Sequence, residues 1–421
     1  MYLVNFFIKP TQQWFSSPDK SETINMGATK IMQAITSAAA IMGAATPTMG
    51  TLVVDTAPNT PLPYVLPNLK GAAVDFGGLI IRTLVPNVTS SGSLSIVGVN
   101  SGPSPLNLIH YHKEFEAFYA LKGGVEVFHN SDQGRQVQAN DFVLLAPGNN
   151  HTYRPNDLDF QLSLCMAPGG IDEFFAATGN PYNSLAPFDP EDRSELNVTK
   201  VLGLMPKYNI APQPYNTINL DWVNGTTEDG LDTWHVADQT LPTDASKPYF
   251  ISSNRGPKYL QRSSGKIIAQ LASVNQTGNK LSIATITMKP CKKIRPIKFN
   301  VDQALQVTEG QLHVEINNET AQLIFGDLVF IPRGTYFTYW STVGFTKFIN
   351  WSAGPGLSDS LIQASEQWDH AALIQTAGQA LLHEAVRKAV SVCFTHPEGV
   401  MMIESTALAA EMLLVLQLKK Q

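Results

Sequence analysis

The chain repeats itself. ALKGGVEVFHN at 120–130 is matched by QVTEGQLHVEIN at 306–317, and NDFVLLAPGNNHTY at 140–153 by GDLVFIPRGTYFTY at 326–339. The offset, from Asp141 to Asp327, is about 186 residues, so one unit is built twice. Each copy is a series of short apolar runs broken by turn residues, among them GGLIIRTLV, GSLSIVGV, FEAFYAL, DFVLLAP and FQLSLCM in the first copy. FYALKGGVEVF reads as a hairpin turning on Lys122, Gly123 and Gly124. Consecutive antiparallel strands in a duplicated unit predict an all-β chain of two tandem jelly-roll β-sandwich barrels. The expected layout is an N-terminal extension and signal peptide over 1–50, a first barrel over 51–200, a linker over 201–245, a second barrel over 246–356 and a helical tail over 357–421. The linker reading rests on its Asn, Pro, Asp and Thr, and the tail reading on the helical pattern that follows Gly356.

Hydrophobic residues make up 43% and charged residues 15%, which excludes a largely disordered chain. The net charge of -6, with no basic cluster, excludes a nucleic-acid binder. From Met26, one basic residue (Lys30) precedes an apolar, Ala-rich run that ends in small residues near Ala44 and Ala45. That pattern reads as a signal peptide starting at Met26, with 1–25 as an upstream extension, and predicts a secreted protein without stable membrane insertion. Glycosylation sequons at Asn87, Asn197, Asn224, Asn275, Asn318 and Asn350 agree with secretion. Asn150 also matches, but a sugar there would crowd the site described next. Cys165, Cys291 and Cys393 are too few for a disulfide framework; Cys165 reads as a small buried hydrophobe.

The histidines carry the chemical signal. His110 and His112 stand two apart at the start of a strand, so both imidazoles face one side. Glu116 keeps the same parity. His151 follows the strand Phe142 to Leu145 and a Pro-Gly-Asn-Asn turn. Three imidazoles and a carboxylate make a site for one divalent transition metal, with a position open for substrate or dioxygen. His129 and His313 read as exposed strand residues, and His370, His383 and His396 as surface residues of the tail.

HYHKEFEAFYALKG followed by NDFVLLAPGNNH resembles the two motifs of the cupins. The resemblance is strongest to the fungal quercetin 2,3-dioxygenases, which are secreted bicupins. PYFISSNRGPKYL (248–260), APGGIDEFF (167–175), DTWH ending at His235 and EQW (366–368) match segments of that family. The similarity covers roughly 52–370. Two features depart from the family pattern: three residues rather than four separate His112 from Glu116, and Asn140 replaces the usual Gly. Counting back from Gly123 selects Glu116 over Glu114 as the ligand.

The resemblance implies His110, His112, Glu116 and His151 as ligands of Cu2+, with Fe, Ni and Mn as alternatives, and Glu116 as general base. A raised pKa, from burial in an apolar barrel, would suit that role. It implies a small aromatic substrate with an acidic hydroxyl, consumption of O2 and release of carbon monoxide. Phe118, Tyr119, Met166, Phe174 and Phe175 match the family's pocket residues. An alternative is a related enzyme of secondary metabolism acting on a polyketide-like enol or phenol, by isomerisation, cyclisation or ring cleavage. A non-catalytic binding bicupin is disfavoured, because one half keeps all four ligands and the other has lost them. In the second half Ile297, Phe299, Gln303 and Phe337 occupy the ligand positions. A homodimer is compatible with the sequence.

Overall fold

The computed structural model describes residues 51–104, 108–129, 133–184, 195–213, 219–220, 241–242 and 246–369. The segment 1–50, His235, the Asn224 sequon, Cys393, the tail histidines and the chain after 369 lie outside the described residues, as does most of the 201–245 linker. No helix among the described residues is long and apolar enough to cross a membrane.

The strands form two barrels of two sheets each. In the first, an eight-stranded sheet includes Leu79–Val85, Ser95–Ser101, Phe160–Ala167, Phe115–Lys122 and Phe142–Leu145. A six-stranded sheet includes His110–Tyr111, His151–Pro155, Val125–His129 and Gln133–Val137. The second barrel repeats this with an eight-stranded sheet centred on Gln303–Glu309, Thr346–Ser352 and Ser282–Met288, and a three-stranded sheet of Glu319–Leu323, Leu312–Ile316 and Phe337–Trp340.

The large sheets are apolar on both faces. In Phe160–Ala167 every residue is buried: Leu162, Leu164 and Met166 face the first barrel's interior, while Cys165 and Ala167 face a second apolar layer shared with the other barrel. A strand covered on both sides has no polar face, so it reads as a continuous apolar run. The small sheet of the second barrel has one face in solvent. Its strand Leu312–Ile316 alternates buried and half-buried, as a period of two requires. The shared layer contains Tyr119 against Trp351, with ring centroids 6.5 Å apart, and Tyr64 against Phe330 at 5.6 Å. Trp351 is fully buried.

The barrels exchange edge strands across the linear boundaries expected at 51–200 and 246–356. Tyr64–Leu66 pairs with Leu328–Ile331 of the second barrel, and Tyr249–Ile251 pairs with Phe142–Leu145 of the first. The exchange obeys the duplication: Tyr64 Oη donates to the carbonyl of Leu84, and Tyr249 Oη to that of Leu271, each at 2.7 Å. Three other segments differ from expectation. Helix Val198–Leu204 crosses the expected start of the linker, capped by the Asn197 side chain accepting from Lys200 N–H. Within the linker, Ala211–Pro212 pairs with His110–Tyr111. After helix Leu357–Gln363, the residues Glu366–Gln367 form an edge strand against Lys258–Gln261 rather than more helix. Asn350, expected as a glycosylation sequon, is fully buried and hydrogen-bonded to Gln303 and Ser358, so no sugar transferase reaches it in the folded chain.

Candidate metal centre

The site lies inside the first barrel, between its two sheets. His151 pairs in register with His110, and cross-strand partners project to the same face. Glu116 sits on the facing sheet, between Leu145 and Met166 in the register. One donor atom each from His110, His112, Glu116 and His151 falls within 4.8 Å of all the others. Glu116 Oε2 is 2.9 Å from His112 Nε2 and 2.7 Å from His151 Nε2. His112, Glu116 and His151 are buried; His110 is half-buried.

The outer ring nitrogens decide whether this cluster suits a metal. His110 Nδ1 lies 2.9 Å from the carbonyl of Leu108, and His151 Nδ1 2.8 Å from that of Asn149. A carbonyl only accepts, so each Nδ1 carries the hydrogen and each Nε2 turns a lone pair inward. His112 Nδ1 faces the Glu114 carboxylate at 3.5 Å. Glu114 is therefore an outer partner of His112, and Glu116 is the carboxylate inside. Once His112 Nε2, hydrogen-bonded to Glu116, gives up its proton, three inward lone pairs and one carboxylate fit a first-row divalent metal.

Electrostatics agree in part with the sequence. Burial, with His151 and His112 close by, lowers His110 to about 3 and keeps it neutral, as a ligand must be. Burial opposes charge on His112, but its hydrogen bond to Glu116 and the charges of Glu116 and Glu114 together outweigh this and raise its pKa. Glu116 is the correction. Burial alone raises a carboxyl, as expected from its apolar setting, but the imidazoles of His151 and His112 close against it overcome this. The carboxyl is held well below its ordinary range.

The expected pocket residues separate by parity. Phe118 shares the inward face with Glu116, and Met166 stands directly opposite Glu116. Phe174 and Phe175, on helix Ile171–Thr178, join the same apolar cluster through Phe76, at centroid distances of 6.1 and 5.2 Å. Tyr119 does not belong to this pocket. One residue out of phase with Phe118, it points into the layer between the barrels, where its hydroxyl donates to Asn140 Oδ1. Two interior residues were missed. Tyr153, two residues after His151, packs edge-on against Phe118 at 5.7 Å. His129, expected to be exposed, is buried on the inner face. The alternation Val125, Val127, His129 in VEVFH is the signal that finds it. Burial, with Arg135 and His151 nearby, lowers its pKa to about 4.

In the second barrel Ile297 bridges Phe337 as His110 pairs with His151. Phe299 packs on Phe337 at 6.3 Å, as His112 does on His151 at 4.9 Å. The second barrel thus keeps the geometry of the cluster with apolar side chains in place of imidazoles.

No protein-family model matches the chain. It is 29% identical over 338 residues to a quercetin 2,3-dioxygenase of Aspergillus japonicus, covering 75% of this chain and 96% of that one. It is 22% identical over 306 residues to a quercetin 2,3-dioxygenase of Bacillus subtilis, covering 72% and 85%. Among solved structures, a salicylate 1,2-dioxygenase from Pseudaminobacter salicylatoxidans aligns at TM-score 0.47 and 11% identity, covering 82% of this chain and 99% of that one. The chain is a tandem β-barrel enzyme similar in sequence to the quercetin 2,3-dioxygenases.

Proposed function

We propose that the chain is a copper-dependent dioxygenase that opens a flavonol or a similar enolic aromatic with O2. The observation that carries the reading is the inward-facing set His110, His112, Glu116 and His151, in a chain that a quercetin 2,3-dioxygenase matches along 96% of its length. A bound divalent copper ion would supply Lewis acidity toward a substrate oxygen and a redox path to dioxygen. The protein's own residues do the rest. Leu108, Asn149 and Glu114 orient the three imidazoles from behind. Glu116, ionised and facing the cluster, accepts the proton of the substrate hydroxyl. A carboxylate is a weak base, so the acidic proton of an enol or phenol suits it better than that of an alcohol. Phe118, Met166, Phe174 and Phe175 supply apolar surface for a flat ring and exclude water. We further propose that the protein is secreted, on the strength of the segment that follows Met26.

Oxygen uptake and carbon monoxide release are measured with quercetin and other flavonols on the metal-loaded protein. Consumption of O2 with release of carbon monoxide, abolished in Glu116→Gln, is expected. Turnover of an enolic substrate without O2 would replace this reading with an isomerase or cyclase.

A further inference from the structure

Val125, Val127 and His129 occupy the inner face of the strand Val125–His129, while Glu126 and Phe128 turn outward to Arg154. In the antiparallel register His129 stands directly across from His151, which on its other side faces His110. Three imidazoles therefore form a row over three adjacent strands. Only two of them join the ligand cluster, which omits His129.

His129 is unusual for an interior residue. Its side chain is 5% exposed, and both ring nitrogens are buried without a hydrogen-bond partner among the described residues. The ring contact recorded for it is with Phe250, 5.5 Å between centroids. Phe118, Val127, Val143 and Met166 line the same apolar interior. A buried polar group left unpaired costs about 1–3 kcal/mol. Simple packing would be served better by a hydrophobe of similar size, so the imidazole needs another explanation. A site built to hydrogen-bond a ligand carries such a group and satisfies it only when the ligand is bound.

We propose that His129 is a substrate-positioning residue whose imidazole hydrogen-bonds a second oxygen of the enolic aromatic, a ring hydroxyl remote from the reacting hydroxyl. The proposal rests on the reading of the first barrel as a flavonol-type site. The four ligands fix one end of the substrate, and His129 fixes its rotation about that end. Neutral imidazole offers one donor and one acceptor, and a hydroxyl can use either.

The test compares wild type, His129→Phe and His129→Gln, all metal-loaded, on quercetin and on 3-hydroxyflavone, which keeps the reacting hydroxyl and lacks the ring hydroxyls. Metal content, anaerobic binding and steady-state kinetics are read on each. For quercetin, His129→Phe should weaken binding and raise KM at least about 10-fold, with His129→Gln recovering most of the loss. For 3-hydroxyflavone the three proteins should bind alike, and metal content should stay at the wild-type ratio in all. Equal quercetin affinity in wild type and His129→Phe would overturn the proposal, as would an equal loss for both flavonols. Binding that depends on His129 without turnover would defeat the dioxygenase reading and leave the contact standing. Turnover independent of His129 would do the reverse, and failure of the wild type to bind either flavonol would defeat both.

Discussion

Replacing Glu114 with Gln tests how the metal site is held. Glu114 Oε2 stands 3.5 Å behind His112 Nδ1, and its side chain is 17% exposed. Outer partners of metal-bound histidines contribute roughly 10–100-fold in affinity, or about 1.4–2.7 kcal/mol. The contact is long and partly solvated, so the lower end applies, and Glu114→Gln should weaken metal binding about 10-fold. The substitution keeps size and an acceptor oxygen but removes the charge that aligns the imidazole. Competition against a chromophoric chelator at fixed pH, on wild type, Glu114→Gln and His112→Ala, measures the effect. His112→Ala deletes a ligand and should fall much further. A loss in Glu114→Gln as deep as in His112→Ala would refute the assignment of Glu116 as the inner carboxylate. No loss at all would refute the role given to the outer contact.

Other outcomes follow from burial and parity. Phe118→Ala should raise KM for a flavonol and cost about 3–5 kcal/mol in stability. Tyr119→Phe should leave KM unchanged and lose the hydrogen bond to Asn140, about 0.5–1.5 kcal/mol by denaturant titration; a raised KM would return Tyr119 to the pocket. The metal-free protein should weaken in acid through His129, whose folded pKa near 4 lies below the ordinary 6.5. The unfolded chain takes up the proton first, so stability present above the ordinary value is lost as pH falls toward 4. That amounts to about 2 kcal/mol between pH 7 and 5, and the loss should shrink in His129→Phe; the same loss in both proteins would contradict it. Gly310 has φ of +74°, and a Cβ there would stand 2.1 Å from the Phe345 carbonyl oxygen. Gly310→Ala should therefore cost more than about 2 kcal/mol, read as a fall in Tm.

Much of this was legible in the residues. The paired segments around Asp141 and Asp327 disclosed the duplication, and HYH, Glu116 and His151 pointed to the cluster that the fold brings together, because strand parity is a local property. The reach of local patterns ended where tertiary pairing took over. Tyr64–Leu66 and Tyr249–Ile251 look like ordinary edge strands, and nothing in three residues says which barrel they join. Phe115–Lys122 is apolar on both faces, so the division between Phe118 facing the pocket and Tyr119 facing Trp351 was masked. The low pKa of Glu116 depended on His151, brought up from a distant strand, as well as on the nearby His112. His129 was misread although its parity was visible, because a lone polar residue at a strand end is ordinarily solvated.

The most direct test of the account is the metal content of the purified protein, by inductively coupled plasma mass spectrometry, beside His112→Ala and a second-barrel variant, Phe337→Leu. The account predicts about one transition-metal ion per chain in wild type and in Phe337→Leu, and its loss in His112→Ala. No metal above background in wild type, or an unchanged content in His112→Ala, would contradict the claim that the first barrel is a metal centre.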